Sequence, residues 1–119
     1  MNLPSTIRVG AATYSLVVEP IQGEDPEYGN CDTHTQVITI SSNQTAQSAG
    51  DTLLHEVLHA IWNESGLAFI KRPDEETVVR ITATWLRMVF IDNPLVHKFV
   101  MDPSSWIHKA TGETRKPRR

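Results

Sequence analysis

The chain has 119 residues, of which 39% are hydrophobic and 21% charged, as in one small globular domain with a single core. No apolar run approaches the roughly 20 residues that cross a bilayer, and the N-terminus lacks the charged-then-apolar layout of a secretory signal. The single cysteine, Cys31, excludes an intramolecular disulfide and fits a reducing compartment. We therefore expect a cytoplasmic protein with no membrane partner.

Charge divides the chain into two parts. Residues 1–108 hold 6 Lys and Arg against 13 Asp and Glu, a net charge of −7, whereas residues 109–119 hold 5 against 1, a net charge of +4. The second part has no apolar periodicity, so we expect one folded domain over residues 1–108 and a flexible basic tail over residues 109–119. A basic tail can contact nucleic acid, but the acidic body would repel a duplex and the tail has no aromatic residue for base stacking.

Three strands are predicted in the first third of the chain. Short β-branched runs at residues 7–9 and 14–18 flank Gly10 and predict a hairpin, which Pro20 ends. Residues 22–30 hold Gly23, Pro26 and Gly29 among acidic residues and predict a loop. The β-branched residues between 35 and 40 predict the third strand.

Helices are predicted in the rest of the chain. Apolar spacing predicts a first helix over about residues 45–64, with candidate caps at 41–43 and an end at Gly66. Asp74 is a suitable N-cap for a second helix to about residue 92, because Pro94 prevents easy continuation, and residues 95–101 form a shorter helix. This order predicts an α+β fold in which a small three-stranded sheet packs against two long helices.

The most informative motif is H-E-x-x-H at residues 55–59, inside the predicted first helix. Side chains four residues apart lie on the same helix face, so His55 and His59 can bind one tetrahedral Zn²⁺. Glu56 then accepts a proton from the zinc-bound water as a general base. Because the motif fixes only three positions, it also occurs by chance in unrelated sequences. Here its apolar neighbours predict a buried helix, where these polar groups need a partner such as a metal. Those neighbours are Leu53, Leu54, Val57, Leu58, Ile61 and Trp62.

A catalytic zinc needs a third protein ligand, and the second predicted helix offers Glu75 or Glu76. At about 100° per residue, Glu75 falls near the middle of that helix's apolar face and Glu76 nearer its edge, so Glu75 is preferred and Glu76 is the alternative. Acidic residues are also common at helix starts without any metal. The rival ligands are Cys31, His34, His97 and His108.

With the H-E-x-x-H motif followed by Glu75 and Glu76, the chain resembles a minimal gluzincin metallopeptidase of the small, phage- or prophage-encoded kind. The resemblance is carried by Y-G-N-C-D at residues 28–32, Q-V-I-T-I at 36–40, T-L-L-H-E-V-L-H-A-I at 52–61, E-E-T-V-V-R at 75–80 and D-N-P at 92–94. It implies a zincin-like core with His55 and His59 as zinc ligands, Glu56 as the general base, and Glu75 or Glu76 as the third ligand.

The chain departs from the larger gluzincins at two kinds of position. Those enzymes often carry an acid or Asn four residues after the ligand Glu, where this chain has Val79 or Arg80. Asp32 and Asp51 are the candidates for orienting a histidine instead. An oxyanion-stabilising Tyr or His after the second helix is also missing, which leaves Tyr28 or His97 as candidates.

The resemblance implies a zinc-dependent metallopeptidase that hydrolyses a peptide or protein substrate, in the host cytoplasm if the chain is phage-encoded. The family layout implies that the substrate lies extended along an edge strand at residues 36–40 and adds its main chain to the sheet. The alternative is a non-catalytic metal-binding module with a structural zinc, which the missing supporting residues favour.

Overall fold

The computed structural model describes residues 3–21, 28–108 and 113–114, with the backbone alone at 107–108 and 113–114. Its strands and helices in chain order are β1 (Thr6–Val9), β2 (Ala12–Glu19), β3 (Gly29–Asp32), β4 (Val37–Ser41), α1 (Ala46–Glu64), α2 (Glu75–Asp92), α3 (Pro94–Met101), β5 (Ile107–His108) and β6 (Glu113–Thr114). Short 3₁₀ turns occupy Leu67–Phe69 and Pro103–Ser105. None of the helices among these residues has the length and apolar character that a bilayer crossing requires.

The main sheet is mixed and has four strands in the order β1-β2-β4-β3. β2 pairs antiparallel with β1 and parallel with β4, and β3 pairs antiparallel with β4. The α+β class is confirmed, but the prediction of three strands is wrong because β3 falls partly in the predicted loop. Its residues Gly29, Asn30 and Asp32 are poor strand formers, so pairing with β4 determines its conformation.

The core lies between one face of this sheet and the helices. Burial alternates along β1, β2 and β4, so that every second side chain points to the helices. The buried apolar residues of the sheet are Ile7, Val9, Tyr14, Leu16, Ile38 and Ile40, and those of α1 are Ala46, Ala49, Leu53, Val57, Ala60 and Ile61. The prediction that Leu58 and Trp62 are buried is wrong, since these side chains are 37% and 40% exposed.

The predicted helix limits are confirmed within one or two residues. Thr45, rather than residues 41–43, is the N-cap of α1 and accepts a hydrogen bond from the Ser48 N–H. Gly66, with φ of 86°, adopts the left-handed conformation that ends a helix at low cost. Asp74 caps α2 by accepting from the Thr77 N–H at 2.7 Å, and this hydrogen bond lowers the pKa of its carboxyl.

α2 is attached to the outer edge of β1. The Asn93 side chain accepts from the Arg8 N–H at 2.9 Å and donates to the Arg8 carbonyl at 2.7 Å, so it pairs with the strand as a peptide group does. Its amide also donates to the Val89 carbonyl at the end of α2. The arrangement covers one edge of the sheet, and β3 forms the other edge.

The predicted tail, residues 109–119, lies outside the described residues except at Glu113–Thr114. This pair forms β6, which lies antiparallel to β5. The structure therefore adds a small hairpin to the predicted organisation.

Candidate metal centre and its cleft

His55 and His59 lie one turn apart on α1, with both side chains exposed. Their Nε2 atoms are 3.2 Å apart, and the ring planes meet at 69°. When one Nε2 carries a hydrogen, this contact is an N–H···N hydrogen bond. The helical spacing therefore brings one nitrogen from each ring to the same point, as the sequence predicts.

The separation of these nitrogens suits a zinc ion. Two histidine nitrogens at roughly 2.0–2.1 Å from a tetrahedral ion lie about 3.3 Å apart, close to the 3.2 Å between the His55 and His59 Nε2 atoms. Imidazole nitrogen is also a preferred zinc donor. The donor pair fits Zn²⁺ in chemistry and in spacing.

Glu56 is the buried member of the motif, with only 6% of its surface exposed. One of its ligand atoms lies within 4.8 Å of those of His55 and His59. A Cβ added to Gly29 would lie 3.0 Å from Glu56 Oε2, so this carboxylate is directed from α1 toward β3. Glu56 is therefore held between the helix and the edge strand while the two imidazoles face solvent.

An open cleft of about 640 Å³ separates the edge strand from α1. One wall is the β3 side and the other is the α1 side, where the H-E-x-x-H motif lies. The lining residues are Tyr28, Gly29, Asn30, Cys31, Ser48, Asp51, Thr52, His55, Glu56 and His59. The cleft brings the motif together with Tyr28 and Asp51, which the sequence offered as supporting residues.

Glu75 and Glu76 form the first turn of α2, and both are exposed. The expectation that Glu75 lies on the buried face of the helix is therefore wrong, because the buried residue of α2, Val89, lies near the other end. Within the described part of the chain, the side chains placed together for a metal are His55, Glu56 and His59, without either acid of α2. The assignment of Glu75 or Glu76 as the third ligand stays a prediction.

The rival ligands lie in different places. Cys31 lines the cleft, whereas His34 is exposed in the turn after β3 and does not line it. His97 packs on Phe90 with ring centroids 4.8 Å apart, beside a separate hollow between α2 and α3. The side chain of His108 lies outside the described residues.

Cys31 has an environment that disfavours its thiolate. Burial, followed by the negative charges of Glu56, Asp32 and Glu64, raises the pKa of the Cys31 thiol to about 11. Asp32 itself accepts hydrogen bonds from the Thr35 and His34 N–H groups, which lower the pKa of its carboxyl. Asp32 thus shapes the turn after β3 and is not among the residues that line the cleft.

Ser48, Thr52 and Gln44 belong to the surroundings of the site, although sequence reasoning did not select them. Ser48 and Thr52 precede the motif by helical spacing on the same side of α1, a signal that was readable from the sequence. Gln44 gave no such signal, because it precedes the helix and acts through groups distant in sequence. Its side chain joins both hydroxyls to the main chain of the sheet.

Another hollow, mainly apolar and of about 330 Å³, lies beside the cleft and is lined by His55, Leu58, His59 and Trp62. These four residues follow the spacing of one helix face. Because Leu58 and Trp62 line this hollow, they are exposed, although the apolar spacing of α1 predicted that they are buried.

No protein-family model, curated protein or solved structure matches this chain.

Proposed function

We propose that the chain is a zinc-dependent metallopeptidase with a zincin-like core. The observation that carries the proposal is the 3.2 Å separation of the His55 and His59 Nε2 atoms beside the buried Glu56, in a cleft bordered by an edge strand. His55 and His59 would hold the ion, with Glu75 or Glu76 as the third ligand. A bound Zn²⁺ supplies a Lewis acid for a carbonyl oxygen and lowers the pKa of water to about 7.

Glu56 is the proposed general base. Its carboxylate accepts a proton from the attacking water and later donates it to the leaving amine, so one group serves both transfers. Burial between α1 and β3 limits the motion of this side chain, which keeps it beside the two imidazoles. The roles of the three motif residues thus follow from their separate environments.

The edge strand supports binding of an extended peptide. The expectation that residues 36–40 are the edge is wrong, because β4 lies between β2 and β3. The Ser41 N–H donates to the Tyr28 carbonyl, so alternate residues of β3 pair with β4. By this alternation Gly29 and Cys31 direct their own N–H and C=O groups away from β4, toward the side where a substrate strand can pair.

The direct test is Glu56→Gln. We expect this variant to bind zinc as the wild type does and to lose at least about 100-fold in hydrolysis of an unfolded protein substrate, the usual contribution of a general base. Glu19→Gln, the same chemical change at an exposed residue of β2, is the matched control and should keep full activity. Equal turnover by Glu56→Gln and wild type would refute the proposed mechanism.

The third ligand is tested by substituting each acid of α2 separately. We expect Glu75→Ala or Glu76→Ala to bind less zinc, measured as metal per chain after dialysis against a weak chelator. Full zinc content in both variants would remove α2 from the site.

A non-catalytic metal-binding module is the second candidate, because neither acid of α2 joins the histidine pair in the described structure. The two candidates differ in what a chelator does. The peptidase should lose activity on chelation while staying folded, because the apolar core between the sheet and the helices stabilises the fold. Unfolding on chelation, followed by circular dichroism, would favour the module with a structural zinc.

A further inference from the structure

Gln44 lies between β4 and α1 and is buried, with 4% of its surface exposed. Its side-chain amide donates to the carbonyl of Tyr28 at 2.9 Å and to that of Ser41 at 2.7 Å. Its side-chain oxygen accepts from Ser48 Oγ at 2.7 Å and from Thr52 Oγ1 at 2.9 Å. Both amide hydrogens and both acceptor positions are therefore used, which is the full capacity of this side chain.

These four hydrogen bonds join the two walls of the cleft. Tyr28 leads into the edge strand β3, and Ser48 and Thr52 belong to the α1 wall. Gln44 itself does not line the cleft. Its backbone is fixed separately, because the Trp106 indole N–H donates to the Gln44 carbonyl at 3.0 Å.

The junction lies beside a close approach of the two walls. A Cβ added to Gly29, the residue after Tyr28, would lie 2.5 Å from Thr52 Cγ2 and 3.0 Å from Glu56 Oε2. Small movements of β3 therefore change the distance between its main chain and the motif. A side chain that bonds to both Tyr28 and Thr52 controls that distance.

We propose that Gln44 is a positioning residue that holds the edge strand at a fixed distance from α1, and that the site consequently prefers extended peptides to short ones. The inference rests on the proposed function. An extended substrate pairs with the outward main-chain groups of Gly29 and Cys31, so its scissile bond is placed by β3. A substrate too short to pair with β3 gains nothing from the position of that strand.

The test compares two fluorogenic substrates, a peptide of eight residues and a blocked dipeptide, with zinc-loaded wild-type protein and Gln44→Met. Methionine has a similar length but removes all four hydrogen bonds of the amide. We expect KM for the octapeptide to rise at least about tenfold, the order of one or two lost hydrogen bonds, while kcat/KM for the dipeptide changes less than about twofold. Zinc affinity should stay at the wild-type value, because His55 and His59 do not contact Gln44.

Asn93→Leu is the matched control, because Asn93 makes the corresponding attachment at the opposite edge of the sheet, to the main chain of Arg8. This variant should lose stability toward urea without changing the ratio of octapeptide to dipeptide hydrolysis. An unchanged ratio in Gln44→Met, or an equal fall of the ratio in both variants, would overturn the positioning role.

Gln44→Glu covers the case in which Gln44→Met does not fold. Its carboxylate still accepts from the two hydroxyls but cannot donate to the Tyr28 and Ser41 carbonyls. The ratio of octapeptide to dipeptide hydrolysis should therefore fall, and it should partly recover at lower pH, where the protonated carboxyl can donate one hydrogen bond. A ratio that stays low and independent of pH would count against the inference. If wild-type protein hydrolyses neither substrate, the proposed function fails and the inference fails with it, whereas normal wild-type hydrolysis with an unaltered ratio refutes the inference alone.

Discussion

Replacing Gly29 by alanine tests how closely the edge strand approaches the helix that carries the H-E-x-x-H motif. The added methyl group would lie 2.5 Å from Thr52 Cγ2, 3.0 Å from Glu56 Oε2 and 3.1 Å from the Thr39 carbonyl oxygen. Ordinary contacts between carbon atoms are about 3.5–4.0 Å, so the overlap with Thr52 is about 1 Å. The methyl group has α1 on one side and the backbone of β4 on the other.

The expected change in the free energy of unfolding follows from the side chains that must move to make room for the methyl group. Forcing a methyl group into a packed region costs about 1–3 kcal/mol, and rotating Thr52 away adds about 1 kcal/mol for its lost hydrogen bond to Gln44. Alanine also restricts the unfolded chain more than glycine does, which offsets this destabilisation by about 0.4–1 kcal/mol. We therefore expect the free energy of unfolding to fall by about 2 kcal/mol.

Hydrolysis should suffer more than stability. Where Thr52 does not rotate, relief of the overlap displaces β3 by about 1 Å from α1, and a misplacement of this size can reduce the rate of an enzyme about 100-fold. The histidine pair is not contacted by the added methyl group, so zinc affinity should stay near the wild-type value. Urea unfolding, zinc competition and peptide hydrolysis measure these three quantities separately.

Thr52→Ser supplies the internal control, because serine keeps the hydroxyl that bonds to Gln44 and deletes the colliding methyl carbon. In the double variant Gly29→Ala/Thr52→Ser the new methyl group replaces the deleted one. We expect a favourable coupling of at least about 1 kcal/mol in the double-mutant cycle, together with recovered hydrolysis. Wild-type stability and activity in Gly29→Ala, or no coupling in the cycle, would refute the close approach of strand and helix.

Two further predictions concern α1 and the cleft thiol. Thr45→Ala removes the N-cap of α1 and should lower the free energy of unfolding by about 1 kcal/mol in urea titrations, whereas an unaltered midpoint would exclude the cap. In metal-free protein at pH 8, iodoacetamide should modify Cys31 roughly 100-fold more slowly than in the unfolded chain, because burial raises its pKa to about 11 from the usual 9.0. Since the folded state holds this proton more tightly, its contribution to stability is present below pH 9 and is lost as the pH rises through about 11. Equal modification rates in folded and unfolded chains would contradict the burial of this thiol.

The amino-acid sequence by itself determined the local structure. The caps and breakers around α1 and α2, such as Asp74 and Gly66, act within a few residues, so the predicted helix limits agree with the structure. The spacing of His55 and His59 is likewise a local property of the helix, since a separation of four residues places two side chains on the same face, where here the ring nitrogens meet.

The tertiary structure decided which residues surround the motif. β3 exists because β4 pairs with it, since Gly29 and Asn30 have little strand preference of their own. The burial of Glu56 and the exposure of Leu58 and Trp62 depend on where the sheet stops covering α1, which helical periodicity does not give. Gln44 joins the two cleft walls through groups up to 16 residues away in sequence, at Tyr28 on one side and Thr52 on the other. Contacts of this kind follow from the packing of strand against helix, because hydrogen-bond partners that are distant along the chain meet only when the fold is formed.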